Sequence, residues 1–282
     1  MPARHLAPAK INLCLHVTGQ RPDGYHMLDS LVVFTGAGDV VEAEPARTLS
    51  LTLSGPFALD LGSDSDNLVL KAAELIRPDR EGAALHLVKS LPIASGIGGG
   101  SSDAAAALRA LSALWDVPLP SPGQVAALGA DVPVCLDPKP YRMRGIGDVL
   151  SPLANPLPPF WMVLANPGVH VPTPRIFQAL KTKHNLGLPE ALPQFDGLPQ
   201  LAAWLRAETR NDLQAPACDV APVIGDVLKA LEETKDCALA RMSGSGATCF
   251  GLYESELAAL EASAQLRDAH PNWWVTATDV LD

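Results

Sequence analysis

The segment Leu91-Pro92-Ile93-Ala94-Ser95-Gly96-Ile97-Gly98-Gly99-Gly100-Ser101-Ser102-Asp103-Ala104-Ala105 constrains this chain more than any other stretch. Its glycines lie between a strand-like run and an alanine-rich helical run. Glycine lets main-chain N–H groups approach an anion and adopts backbone angles denied to other residues. A helix start adds unpaired N–H groups and a positive dipole end. Ser101 and Ser102 add hydroxyls suited to a phosphate oxygen or a metal ion. Strand, glycine loop and helix is the order that a phosphate cradle needs. A Walker loop would require a Gly-Lys-Ser/Thr step, and no lysine stands here. A dinucleotide fingerprint begun at Gly96 would require glycine at 101, where Ser101 stands. The plain alternative is a flexible turn ahead of a helix.

Length and charge narrow the field further. A chain of 282 residues can form two modest domains, each with its own core. The formal charge of −10 argues against nucleic acid or an anionic membrane as partner, because those need a basic face. It leaves room for an anionic small molecule held by local N–H groups, Lys and Arg. No apolar signal core follows Met1-Pro2-Ala3-Arg4-His5. The cysteines at 14, 135, 218, 237 and 249 are scattered, odd in number and without a CxxC pair. That pattern suggests neither a disulfide framework nor a zinc cluster, but buried thiols in a reducing, cytoplasmic setting. Nothing signals an obligate protein partner.

Asn155-Pro156-Leu157-Pro158-Pro159 marks the boundary expected between domains at 1–154 and 160–282. Before it, short strand-like runs mix with two helices. One is opened by Asp66-Asn67 and runs from Leu68 to Arg77; the other is opened by Ser102-Asp103 and runs to Trp115. Ala104, Leu108, Leu111 and Trp115 of the second share one helical face. After the boundary come a strand over Phe160–Ala165, a Pro/Gly-rich loop over about 183–199, and a helix marked by Val220, Ile224, Val227, Leu228 and Leu231. Strands over Ala238–Met242 and Thr248–Leu252 flank Ser243-Gly244-Ser245-Gly246, which by itself reads as a tight hairpin. A helix from about Ser255 to Leu266 and a last strand over Trp273–Thr278 complete an α+β half.

The glycine loop resembles the phosphate loop of the GHMP kinase superfamily. Two further matches narrow the resemblance to the 4-diphosphocytidyl-2-C-methyl-D-erythritol kinase family. Ala7-Pro8-Ala9-Lys10-Ile11-Asn12-Leu13 with Arg21-Pro22-Asp23-Gly24-Tyr25-His26 is similar to that family's start, and Gly129-Ala130-Asp131-Val132-Pro133-Val134 to its catalytic segment. Arg144-Gly145-Ile146-Gly147-Asp148, Pro172-Thr173-Pro174, Asn211-Asp212-Leu213 and the Ser243–Ala247 stretch match in order. The resemblance implies an α+β, two-domain GHMP kinase fold. Its parts are an N-terminal α/β domain like ribosomal protein S5 and a C-terminal ferredoxin-like domain, with the active site in the cleft between them. It also implies transfer of the terminal phosphate of ATP to the 2-hydroxyl of a CDP-linked methylerythritol, on the non-mevalonate route to isoprenoid precursors. Alternatives are a GHMP kinase with another alcohol, such as mevalonate or homoserine, and a nucleotide-binding regulator without catalysis.

Phosphoryl transfer asks for positioning, charge neutralisation and a base for the acceptor hydroxyl. The resemblance assigns the base to Asp131 and its charge partner to Lys10; without it, a structural ion pair would fit as well. Burial alone would raise the pKa of such a carboxyl, and a nearby ammonium would hold it ionised. ATP is expected on Pro92–Ser102, with Asn67 and Lys89 touching the nucleotide; a solvated strand end is the plain alternative for Lys89. Tyr25 is expected to stack on the cytosine and His26 to read its edge. Asn12 is expected to contact the erythritol, and Thr173 and Phe177 to lie near the cytidine. The Ser243–Gly246 loop is expected close to the phosphate loop. Magnesium is expected with ATP, and its ligands are unassigned. Lys139-Pro140-Tyr141 and the stretch 187–199 match nothing in the family pattern.

Overall fold

The computed structural model describes residues 3–59, 61, 66–79 and 81–282; the Met1-Pro2 start of the leader reading lies outside them. In chain order the elements are β1 (Ala3–Gln20), β2 (His26–Ala46), β3 (Ser50–Ser54), α1 (Leu68–Ile76), β4 (Gly82–Val88), α2 (Gly99–Trp115), α3 (Pro122–Ala126), α4 (Val132–Cys135), β5 (Tyr141–Gly145), β6 (Val149–Pro152), β7 (Trp161–Asn166), α5 (Thr173–Gln178), α6 (Leu198–Glu208), α7 (Gln214–Val220), α8 (Val223–Glu232), β8 (Leu239–Met242), β9 (Cys249–Tyr253), α9 (Glu256–Ala269) and β10 (Trp274–Leu281).

These elements form two compact units whose chain segments interleave. The first holds Met1–Lys10, Gly38–Ile93 and Gly98–Pro138; the second holds Ile11–Ala37, Ala94–Ile97 and Lys139–Asp282. In the first, β3 runs parallel to β4, and β4 pairs antiparallel with the Val40–Ala46 end of β2. Helices α1 and α2 pack on each other. The Asn67 side chain caps α1 by accepting from the Val69 N–H at 2.9 Å. Ala104–Leu108, Ala110 and Leu111 of α2 are fully buried. Small side chains let this helix lie close to its neighbours on every side.

In the second unit the sheet runs β2–β10–β7–β9–β8, with β5 and β6 added through Leu28–Val32 of β2. Val163, Ala165, Ile224, Val227, Leu231, Cys249 and Tyr253 are fully buried in its core. Helix α8 packs on β8 and β9, and α9 packs on β7 and β10. Among the described residues no helix is long and apolar enough to cross a membrane.

Several expectations are corrected. Helix α2 starts at Gly99, three residues before the expected Ser102. Gly98 caps it at φ 68°, and the Ser102 N–H donates to the Gly98 carbonyl at 2.9 Å, closing the first turn through glycines that read as loop. Val220 ends α7 rather than opening α8, because Pro222 separates the two. Part of the stretch taken as Pro-rich loop is the start of α6, where Pro199 sits in the first turn, a position that tolerates it. Strands β1 and β2, of 18 and 21 residues, replace the expected short runs. Leu108→Ala should lower stability by about 2–5 kcal/mol in urea unfolding, the range for a cavity in a close-packed core; a loss below about 0.5 kcal/mol, the surface range, would contradict its place in the core.

Candidate active site

A buried charge cluster in the first unit lies at both ends of the glycine-rich segment, on Lys89 before it and Asp103 after it. Where β4 ends, Asp39 Oδ1 accepts from the backbone N–H of Ser90 at 2.5 Å and of Leu91 at 2.9 Å. The Lys89 ammonium donates to Asp39 Oδ2 at 2.5 Å and to Asp103 Oδ2 at 2.7 Å. Lys89 is 3% exposed, so it is neither a solvated strand end nor an outstretched arm. Gly99 lies over the cluster: a Cβ there would stand 3.6 Å from Lys89 Nζ. In a helix capped at Gly98, the N–H groups of Gly98, Gly99, Gly100 and Ser101 have no acceptor within the helix. Those four amides leave a row of unpaired donors at the helix start.

Two acids share one ammonium in this cluster, and burial favours the neutral form. Burial therefore raises the Asp103 pKa to about 7; Lys89 opposes the shift and Asp39 adds to it. For Lys89 the two carboxylates outweigh desolvation and hold the ammonium charged. Asp103 Oδ1 is buried without a hydrogen-bond partner.

Lys10 reaches the same helix start from β1. Its side-chain carbons lie against Gly98, where a Cβ would stand 3.2 Å from Lys10 Cβ. Its ammonium donates to Asp131 Oδ2 at 2.8 Å. The Lys10 side chain is 4% exposed and that of Asp131 36%, so the carboxylate is open to a ligand while its partner is shut in. Asp131 is the N-cap of α4. Arg109 on α2 holds that short helix by donating to the carbonyls of Cys135 at 2.7 Å and Leu136 at 3.3 Å, and it ties in β1 through the Leu6 carbonyl at 2.8 Å. The sequence reading missed Arg109; its one signal was a charge within an otherwise alanine- and leucine-rich helix. Cys135, buried beneath this turn, has its thiol pushed up to about 12, chiefly by burial. Ser102 is fully buried, and its hydroxyl donates to the Pro8 carbonyl at 2.7 Å. Asn67, expected at the nucleotide, is buried as the cap of α1.

The second unit carries the other candidates. Residues 21–25 form a turn closed by Arg21 N–H to the Tyr25 carbonyl at 2.7 Å, with Gly24 at φ 92°. Tyr25 is 60% exposed, an aromatic face presented to solvent. The His26 ring stacks on Phe177 at 4.7 Å, and its Nε2 is buried without a hydrogen-bond partner. Burial, and then Lys183, lower its pKa, so the neutral imidazole dominates at neutral pH. Asn12 is anchored: its Nδ2 donates to Ser30 Oγ at 2.7 Å and its backbone N–H to Ser243 Oγ at 3.1 Å. Thr173 Oγ1 bonds Ser245 Oγ at 2.7 Å. The Ser243–Gly246 turn does lie against part of the glycine loop: a Cβ on Gly96 would stand 2.6 Å from the Ser243 carbonyl oxygen. Asn211 holds this turn by donating to the carbonyls of Met242 at 2.7 Å and Gly244 at 2.8 Å. Among the described residues no group of three or more His, Cys, Asp or Glu side chains is placed to hold a metal ion.

Comparison with known proteins bears on the family and the fold. The GHMP kinases N-terminal domain matches residues 67–150, and the GHMP kinases C-terminal domain matches 191–272. A 4-diphosphocytidyl-2-C-methyl-D-erythritol kinase of Cereibacter sphaeroides is 57% identical over 95% of this chain and 96% of its own length. The enzyme of that name from Ruegeria pomeroyi is 54% identical over 98% of both chains. A crystal structure of a 4-(cytidine 5'-diphospho)-2C-methyl-D-erythritol kinase superposes with a TM-score of 0.81 at 33% identity, covering 99% of each chain. A homoserine kinase from Cytophaga hutchinsonii shares the fold alone, at 17% identity, with a TM-score of 0.65 over 98% of this chain and 94% of its own.

Two variants test the cluster beneath the loop. Lys89→Met strands two buried carboxylates and should cost about 3–5 kcal/mol of stability by chemical denaturation. An unfolded Asp103 would titrate near its ordinary value of about 3.9, whereas the folded group holds its proton to about 7. Between those values only the folded state keeps the proton, so stability should fall as pH rises through that window. Asp103→Asn should remove this slope in denaturation curves stepped through pH; an unchanged slope would assign it to other groups.

Proposed function

The chain belongs to the GHMP kinase family, and we propose that it transfers the terminal phosphate of ATP to the 2-hydroxyl of 4-diphosphocytidyl-2-C-methyl-D-erythritol, a step on the non-mevalonate route to isoprenoid precursors. The observation that carries the reading is the Lys10–Asp131 pair, 2.8 Å apart, with the Lys10 stem against the Gly98 helix start. A base and a cation are thereby set beside a row of bare amides, which is the set of groups that phosphoryl transfer requires.

In this mechanism Pro92–Ser102 holds the triphosphate, chiefly through the N–H groups of Gly98–Ser101. Lys89 acts from below by holding the loop entry and α2 together; Asn67 flanks the nucleotide from the α1 start. Asp131 accepts the proton of the attacking hydroxyl as its oxygen bonds to the γ-phosphorus and the bond from that phosphorus to the bridging oxygen breaks. Lys10 keeps the carboxylate ionised and oriented, and offers positive charge as the phosphoryl group moves. Tyr25 stacks on the cytosine, His26 offers its unpartnered Nε2 to the base edge, Asn12 meets the erythritol, and Thr173 and Phe177 lie along the cytidine.

The donor set does not make a magnesium cage. Asp39 and Asp103 are shut in with Lys89, and Asp131 is paired with Lys10. Magnesium is therefore proposed as the counter-ion that ATP brings with it.

The panel that tests this reading measures ADP release with the cytidine substrate, mevalonate and homoserine in turn. Turnover is expected with the first alone, and turnover with mevalonate alone would overturn the substrate assignment. Asp131→Asn should lower kcat by about 10²–10⁴; equal slow turnover by the variant and the wild type would favour a nucleotide-binding regulator instead.

A further inference from the structure

Residues 179–197, between α5 and α6, contain no regular element, yet part of this stretch is tied down by buried side chains. Arg142 on β5 and Asp29 on β2 are 7% and 5% exposed. The guanidinium grips the carboxylate with a two-pronged fork, Nε to Oδ1 at 2.9 Å and Nη2 to Oδ2 at 2.8 Å. Its remaining hydrogens go to the carbonyls of Leu188 at 3.0 Å, Pro189 at 2.7 Å and Glu190 at 3.0 Å. Asp29 Oδ2 also accepts the Leu188 N–H at 2.9 Å. A Cβ on Gly187 would stand 2.6 Å from that same oxygen, so the chain passes where only glycine fits.

From this clamp the segment runs toward the Tyr25–His26 turn. The Leu186 carbonyl is held by His16 Nδ1 at 2.9 Å and Arg210 Nη2 at 3.0 Å. The Asn185 N–H donates to the Val17 carbonyl at 3.1 Å. Lys183 Nζ donates to Gln20 Oε1 at 3.1 Å, and Gln20 Nε2 donates to the Gly24 carbonyl at 3.0 Å, one residue before Tyr25. Upstream, α5 sets Phe177 against the His26 ring.

We propose that Asp29 and Arg142 are positioning residues for the cytidine end of the substrate: they fix residues 183–190 as the wall that sets the Tyr25–His26 turn. This rests on the reading of that turn as the cytidine site. The stretch 187–199, which matches nothing in the family pattern, gains a role at its start. The charge pair is placed where its donors hold backbone, not ligand, so its effect reaches the substrate only through the wall. Lysine cannot replace the arginine, because a point ammonium cannot hold a carboxylate by two prongs and three carbonyls at once.

The test uses the full chain, with CDP as binding probe by calorimetry and with steady-state kinetics. Arg142→Lys should weaken CDP binding and raise the KM for the cytidine substrate by about tenfold, with kcat and the KM for ATP within about twofold. Should Arg142→Lys fail to fold, Gln20→Met breaks the link to Gly24 at the surface and should raise the same KM by about threefold with an unchanged melting temperature. A variant that melts earlier but keeps wild-type CDP affinity and KM would make the pair merely structural and overturn the proposal. If the wild type itself binds no CDP, the cytidine-site reading fails and this inference fails with it; wild-type binding with unaltered variants defeats this inference alone.

Discussion

One ammonium, that of Lys89, stands between two carboxylates closed off from water, and the geometry of the phosphate loop follows from it. Asp39 ties the strand exit at Ser90 and Leu91, while Asp103 belongs to the first turns of α2. The lysine thus joins the chain before the glycines to the chain after them. The glycines between are held as well: Gly96 lies against the Ser243–Gly246 turn, and Gly98 caps α2. An arrangement of one buried ammonium and two buried acids is costly to assemble and still costlier to break singly. It therefore imposes one loop path rather than many.

The Lys10–Asp131 pair, proposed as the catalytic one, is arranged differently. Lys10 is enclosed and Asp131 is half open, so the cation is held by the protein and the anion faces outward. Arg109 reaches from α2 to the α4 carbonyls and thereby couples the position of Asp131, the proposed base, to that of the α2 amides. A shift of α2 would move both together, which in the proposed mechanism preserves the geometry of transfer.

Much of this was legible in the amino-acid order, for identifiable reasons. The glycine triplet, the alanine helix and the patterns of α8, α9 and the β8–β9 hairpin are local signals. The long strands were not legible, because Ala7–Val17 of β1 is buried on both faces and shows no alternation. The start of α2 was hidden by glycines that read as loop, and that of α6 by Pro199 within a Pro-rich stretch. Lys89, Arg109 and the Asp29–Arg142 fork were beyond reach for a different reason. Their partners lie up to 113 residues away, and nothing in either neighbourhood names the other. The pairing of Lys10 with Asp131, 121 residues apart, came only through the family resemblance.

Cys135 ends the short helix that Asp131 begins, and its thiol is fully buried. Thiolate is the reactive form, so this sulfur is chemically silent while the turn is closed. It becomes a target for alkylating reagents only when the packing around it opens. The rate at which Cys135 is modified is therefore a clock for the opening of the turn that carries Asp131.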